Sequence, residues 1–179
     1  PSALQSEGYH TAVIGKLHSH EGLWHRNLTL PEYVNDTKAR GFDDVLEVCG
    51  KSLSFWFDCN WTRHLDTRGL LDRYRSDLAP RLGQVCGDEV EEDGRPTFLA
   101  PDDTADGYIG NQVVRWLEQY DRAKPFFLHA SFCGPHFPID PPESYRTGFR
   151  AEDMPPPEGV DDPEAIAKHK RIRVLLGFL

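Results

Sequence analysis

The chain has 179 residues, of which 39% are hydrophobic, so it fits the size of one ordinary domain and can build a core. A formal charge of −9, from 29 acidic against 20 basic residues, argues against nucleic-acid binding, because neutralising phosphates needs a basic face. No apolar run is long enough to span a bilayer, and no basic start followed by a hydrophobic stretch marks a signal peptide.

The chain opens on Pro1 and holds a single methionine, Met154, so its natural start is expected upstream, where a leader could have been lost. Ser2 to Glu7 suit a short helix, and Gly8 suits the position past its end. Thr11 to Ile14 then favour a strand. If the extended backbone persists through Gly15, Lys16 and His18 project from one face and Leu17 from the other. Ligands of open α/β sheets bind beyond the carboxyl ends of strands, so a Lys-x-His pair there suits an anion.

The polar segment His20 to Arg26 follows. His18, His20 and His25 could place imidazoles on one metal, but no set of carboxylates stands beside them, and His20 and His25 read as solvated loop residues. Pro31 opens a helix that ends before Gly41, and Gly41 to Val48 form a turn and a second strand. Asp43 and Asp44 read as an acidic turn before that strand in preference to metal ligands.

From Cys49 to Gly83 the chain alternates aromatic and charged residues. Phe55, Trp56, Phe57 and Trp61 are expected to cover a neighbouring surface, with an aromatic pocket wall as the alternative. Thr67 to Leu82 read as one amphipathic helix with Arg68, Asp72, Arg73 and Arg75 on its wet side. Gln84 to Pro101 carry a charge run expected in an exposed loop. Asp102-Asp103-Thr104-Ala105-Asp106 read as the N-cap and first turn of a helix, where acids meet the positive end of the dipole, in preference to a clustered-carboxylate metal site. Ile109, Val113, Trp116, Leu117 and Tyr120 give that helix an apolar face, and it should end near Arg122 and Ala123.

Lys124 to Phe132 have the length and apolar character of a central parallel strand, with His129 packed inside it. Next comes Cys133-Gly134-Pro135-His136-Phe137-Pro138-Ile139-Asp140, a loop that holds His136 between two prolines. If the two strands are parallel neighbours, His136 faces the crevice of Lys16 and His18. Cys49, Cys59, Cys86 and Cys133 form no C-x-x-C pair; they allow two disulfides or a buried reduced set. Sequons at Asn27, Asn35 and Asn60 have meaning only in a secretory pathway. Beyond the stiff Met154 to Pro157 linker, a helix starts near Pro163, and Lys168 to Arg173 read as its solvated face.

Gly8-Tyr9-His10-Thr11-Ala12-Val13-Ile14-Gly15-Lys16-Leu17-His18 resembles the second signature of the sulfatase family, G-Y-x-T-x-x-x-G-K-W-H. Lys124 to Leu128 with Pro135-His136-Phe137-Pro138 resemble the same family's strand and P-H-x-P loop, and Pro142 to Tyr145 continue the likeness. The resemblance implies the alkaline-phosphatase-like α/β sandwich, with a mostly parallel central sheet flanked by helices. Residues 1–179 would be part of its catalytic domain, incomplete at both ends and without a second domain.

The activity implied is hydrolysis of a sulfate ester by a hydrated formylglycine beside a divalent cation, usually calcium. Lys16 would neutralise charge on the nucleophile and sulfate, His18 would collapse the sulfated hemiacetal, and His136 would bind sulfate or protonate the leaving oxygen. Leu17 replaces the family's Trp. Neither Cys59-Asn60-Trp61-Thr62-Arg63 nor the segment at Cys133 fits the formylglycine motif, and no ligand of the cation is assigned within the chain. The implied partner is a sulfate ester, with no nucleic acid and no membrane insertion. Family members are often exported, but the sequence leaves compartment and oligomeric state open. Two alternatives stand beside this reading: a phosphonate or phosphodiester hydrolase of the same superfamily, and a catalytically silent anion-binding fragment.

Overall fold

The structure, a computed structural model, describes residues 1–17, 27–85, 94–121, 123–146, 148 and 150–155. His18, His20, His25, Cys86 and the segment from Glu158 to Leu179 lie outside the described residues. Strand β1 (His10–Lys16) is buried from Thr11 to Gly15 and forms the middle of the sheet. Helix α1 (Ser2–Ser6) leads into it through Glu7 and Gly8, as the residue types predict.

Helix α2 (Pro31–Ala39) starts with Pro31 at its first position, where the missing N–H costs no hydrogen bond. It connects β1 to β2 (Asp44–Val48), which pairs parallel to β1 from Ala12 opposite Asp44 to Lys16 opposite Val48. On the other side β1 pairs parallel with β3 (Phe126–Ser131), from His10 opposite Phe126 to Gly15 opposite Ser131. The order is therefore β2-β1-β3, and all strand ends with Lys16, Val48 and Ser131 point the same way. This is the parallel α/β sheet that the resemblance implies, with helices against it.

The connection from β2 to β3 differs most from expectation. The helix expected over Thr67 to Leu82 is α4 (Leu71–Val85), and a further helix not expected, α3 (Asn60–Thr67), precedes it across Arg68 to Leu70. Cys59 and Thr62 form a reciprocal capping box that starts α3 early, a pairing masked in sequence because cysteine is not a usual cap. Arg75 is half-buried, not wet, since its guanidinium donates to the Ser54 carbonyl at 3.1 Å and to Asp58 at 2.7 Å. Of the expected exposed loop, Thr97 and Leu99 are buried, and Thr97 bridges to Pro142.

Helix α5 (Ala105–Gln119) ends before Arg122, because Tyr120 already has extended backbone. Ile109 is fully buried, but Leu117 on the same predicted face is exposed. Strand β3 lies at the edge of the described sheet, not at its centre, and His129 is correspondingly exposed instead of packed within it. The apolar core gathers Trp61, Leu65, Leu78, Ile109, Ile14 and Val48 between the sheet and α3 to α5. Trp61 is anchored there by its indole N–H to the Asp103 carbonyl at 2.9 Å and by an edge contact with Tyr74. No described helix is long and apolar enough to cross a membrane.

Candidate functional site

The carboxyl ends of the three strands carry the candidate site. Gly15 has φ +121°, and a Cβ there would lie 1.9 Å from the Ser131 carbonyl oxygen, so only glycine lets β1 and β3 close up where Lys16 emerges. The regular alternation assumed through Gly15 is therefore altered by one left-handed residue. At the end of β2, Gly50 (φ +91°) packs against Lys16: a Cβ would stand 3.0 Å from the lysine Cε and 3.3 Å from Nζ. Among the described residues no carboxylate pairs with Lys16. The predicted partner His18 lies outside the described residues.

His136 follows β3 by five residues, on a loop in which Gly134–Pro135 and Phe137–Pro138 are cis. The parallel pairing of β1 with β3 brings the roots of Lys16 and of this loop to one end of the sheet. The His136 backbone N–H bonds the Cys133 carbonyl at 3.0 Å, and its ring Nδ1 lies 2.8 Å from the Phe137 carbonyl. A carbonyl can only accept, so Nδ1 carries the hydrogen and a neutral ring has its lone pair on Nε2. The imidazole itself is exposed.

Three side chains hold this loop, those of Asp106, Lys51 and Ser52. Asp106, in the first turn of α5, accepts from the backbone N–H of Cys133 at 2.6 Å and of Gly134 at 3.0 Å. Lys51, just past β2, pairs with Asp140 at 2.9 Å and also donates to the Pro138 carbonyl, while Ser52 Oγ donates to the Phe137 carbonyl at 2.7 Å. Burial raises the Asp140 carboxyl above the ordinary range despite the Lys51 charge that opposes it. A signal for Lys51 was present: Gly50-Lys51 repeats, at the end of β2, the Gly15-Lys16 pattern at the end of β1.

A cavity of about 430 Å³ adjoins the loop and shares Gly134 and Pro135 with it. Trp61, Tyr74, Ile139 and Tyr145 give it apolar walls. Trp61 is thus both core and cavity wall, whereas Trp56 is exposed, so the aromatic segment splits between the two roles considered.

The cysteines under this end are reduced. Cys49 and Cys59 are buried with their sulfurs 3.4 Å apart, and Cys133 is buried nearby. Burial, opposed by the Lys16 and Lys51 charges, pushes the Cys133 thiol up to about 12. Cys59 is fully buried; burial raises its thiol, but hydrogen bonds with Cys49 and with the backbone of Thr62 and Trp61 outweigh burial and lower the thiol to about 7.

The acids are otherwise engaged. Asp103 holds His64 at 2.8 Å and Arg68 at 2.8 Å, and Thr104, within the stretch expected to cap α5, accepts from the Gly107 N–H. Asp43 accepts from the Thr11 N–H, and Asp44 from His10. Among the described residues no group of three or more His, Cys, Asp or Glu is arranged to hold a metal ion. The described residues therefore offer no ligand set for the divalent cation the resemblance implies.

The sulfatase family model matches residues 1–167. The chain is 29% identical over 162 residues to an arylsulfatase of Clostridium perfringens, a match covering 87% of this chain and 30% of the relative. It is 23% identical over 151 residues to an uncharacterized sulfatase of Schizosaccharomyces pombe, covering 84% and 23%. Over 73 residues it is 30% identical to the multifunctional alkaline phosphatase superfamily protein PehA of Trinickia caryophylli, covering 41% and 14%. The chain spans less than a third of the length of these curated relatives. With a match across most of its residues, and a parallel sheet whose ends carry the G-K and P-H-x-P segments, the chain belongs to the sulfatase family.

Proposed function

We propose that the chain is part of a sulfuric ester hydrolase and supplies that enzyme's sulfate-binding and proton-transfer groups. The observation that carries this reading is the parallel pairing of β1 with β3, which sends Lys16 and the His136 loop out of one end of the sheet. Lys16 neutralises charge that builds on the sulfate oxygens, a group best placed where no carboxylate competes for it. His136, whose Nδ1–H is taken by the Phe137 carbonyl, acts through Nε2 when the ring is protonated: the Nε2–H donates to a sulfate oxygen or passes its proton to the leaving oxygen. His18, two residues beyond Lys16, is assigned the base. The cavity beside Gly134 and Pro135 would take the organic part of the ester.

The nucleophile, a hydrated formylglycine by resemblance, is assigned to no residue of this chain and would supply the attack on sulfur. The divalent cation, calcium by resemblance, is likewise assigned no ligand here. The match to PehA supports a second reading, hydrolysis of phosphonate or phosphate esters on the same scaffold. Turnover of 4-nitrophenyl sulfate and of a bis-aryl phosphodiester by the whole protein separates the two. A large preference for the sulfate is expected, and a preference for the phosphodiester would replace the first reading with the second.

A further inference from the structure

His136 is exposed, and it rides on a loop that is itself neither helix nor strand. Exposed loop histidines ordinarily sample several rotamers, yet the backbone on both sides of this one is fixed by side chains from distant segments. On the upstream side the Asp106 carboxylate takes the N–H groups of Cys133 and Gly134. On the downstream side the three residues Phe137, Pro138 and Asp140 are each bonded by the pair Lys51 and Ser52. The pair is itself anchored: the Lys51 carbonyl accepts from Ser54 Oγ and from the Tyr74 hydroxyl at 3.3 Å, and Gly50 before it packs on Lys16.

One carbonyl joins this scaffold to the chemistry. The Phe137 oxygen receives Ser52 Oγ at 2.7 Å and His136 Nδ1 at 2.8 Å, filling both of its lone pairs. Whatever fixes that oxygen fixes the direction and the tautomer of the imidazole.

We infer that Ser52, assisted by Lys51, is a positioning residue for His136: it acts through the Phe137 carbonyl to keep the histidine hydrogen on Nδ1 and Nε2 directed at the ester. The inference rests on the role proposed for His136. It adds that the end of β2 tunes this role and that the segment beside Lys16 sets both groups together. A displacement of the imidazole by about 1 Å can cost about a hundredfold in rate, so the expected effect is large for a residue that touches no substrate.

The test uses the whole protein with an aryl sulfate. Ser52→Ala should lower kcat between about tenfold and a hundredfold while KM stays within about twofold. Ser52→Thr, which keeps the hydroxyl, should restore most of the rate. Nitrogen NMR of histidine-labelled protein, with His136 assigned by His136→Asn, should show the Nδ1–H tautomer in the wild type and a mixture in Ser52→Ala. If Ser52→Ala fails to fold, Lys51→Met and Ser52→Thr carry the test through the same tautomer signal. Wild-type kcat with an unchanged His136 tautomer in the variants, alongside an impaired His136→Ala, overturns the inference. A wild-type rate in His136→Ala removes the underlying role instead, and the two failures are thereby distinct.

Discussion

The two ends of the sheet use similar residues to opposite effect. At the amino end His10 is bonded to Asp44 at 2.7 Å, Trp116 donates to the same carboxylate oxygen at 2.8 Å, and the rings of Tyr120 and Phe126 pack against them, Tyr120 tilted on His10 and Phe126 edge-on to Trp116 and Tyr120. At the carboxyl end Lys16 and His136 have no carboxylate partner among the described residues, and the acids there, Asp106 and Asp140, bind backbone N–H groups and Lys51. Side chains that satisfy one another hold a fold together, and side chains held through the backbone keep their own polar atoms for a ligand. The difference separates His10, paired with a carboxylate at the start of β1, from His136, whose ring meets only a backbone carbonyl five residues beyond β3.

The sharpest way to break this contrast is substitution at each end of the whole protein. Lys16→Ala and His136→Ala, and His18→Ala with them, should each lower kcat by about two to four orders of magnitude. His10→Ala should leave kcat within about threefold. A rate loss for His10→Ala as large as that for His136→Ala would dissolve the distinction. The same pair should separate in the opposite sense in stability, where Asp44→Asn, which weakens bonds to both His10 and Trp116, lowers the unfolding free energy by about 1–3 kcal/mol in urea titration.

Between the two ends, Trp61→Ala should destabilise by about 3–5 kcal/mol, because it empties the core wall shared with the cavity. Gly15→Ala should do so by more than about 1 kcal/mol, since it forces β3 away from β1. Both are read by urea or thermal unfolding, and a neutral Gly15→Ala would contradict the close approach to Ser131.

The smallest effect is one of pH. At the amino end, the backbone N–H of Thr11 lowers the Asp43 carboxyl; burial raises Asp44, but His10 and Trp116 bring it below the ordinary value as well. Both carboxylates titrate lower folded than unfolded, so the stability they give is present above about pH 3.9 and is lost as pH falls through their folded values. Asp140 has the reverse sign: burial raises it, so on acidification it takes up its proton above about pH 3.9, while the amino end is still ionised. Carboxyl carbon NMR across pH 2 to 6 should show Asp140 titrating first. Asp140 titrating below Asp44 would refute the ordering.

Much of the site was legible in the chain because its chemistry lies at strand ends that local sequence marks. Gly15-Lys16 closes a run of buried residues, and Pro135-His136-Phe137-Pro138 follows another apolar run, so each segment announces its position by pattern. The helix expected over residues 67–82 is α4, shifted toward the C-terminus to Leu71–Val85, whereas α3 before it was not legible because a cysteine, an unusual cap, starts it. His129 was misplaced for a different reason: a continuous apolar run fits a central strand and an edge strand alike, and only pairing tells them apart.

By itself the sequence determined the alternation of strands and helices, the family signature, and the identity of Lys16, His18 and His136 as candidates, since these depend on spacing along the chain. Tertiary structure alone decided that β1 lies between β2 and β3, that Lys51 and Ser52 reach across 85 or more residues to the His136 loop, and that Asp106 closes its other side. Hydrogen bonds between segments so far apart leave no periodicity to read. They exist only once parallel pairing has set three strand ends side by side.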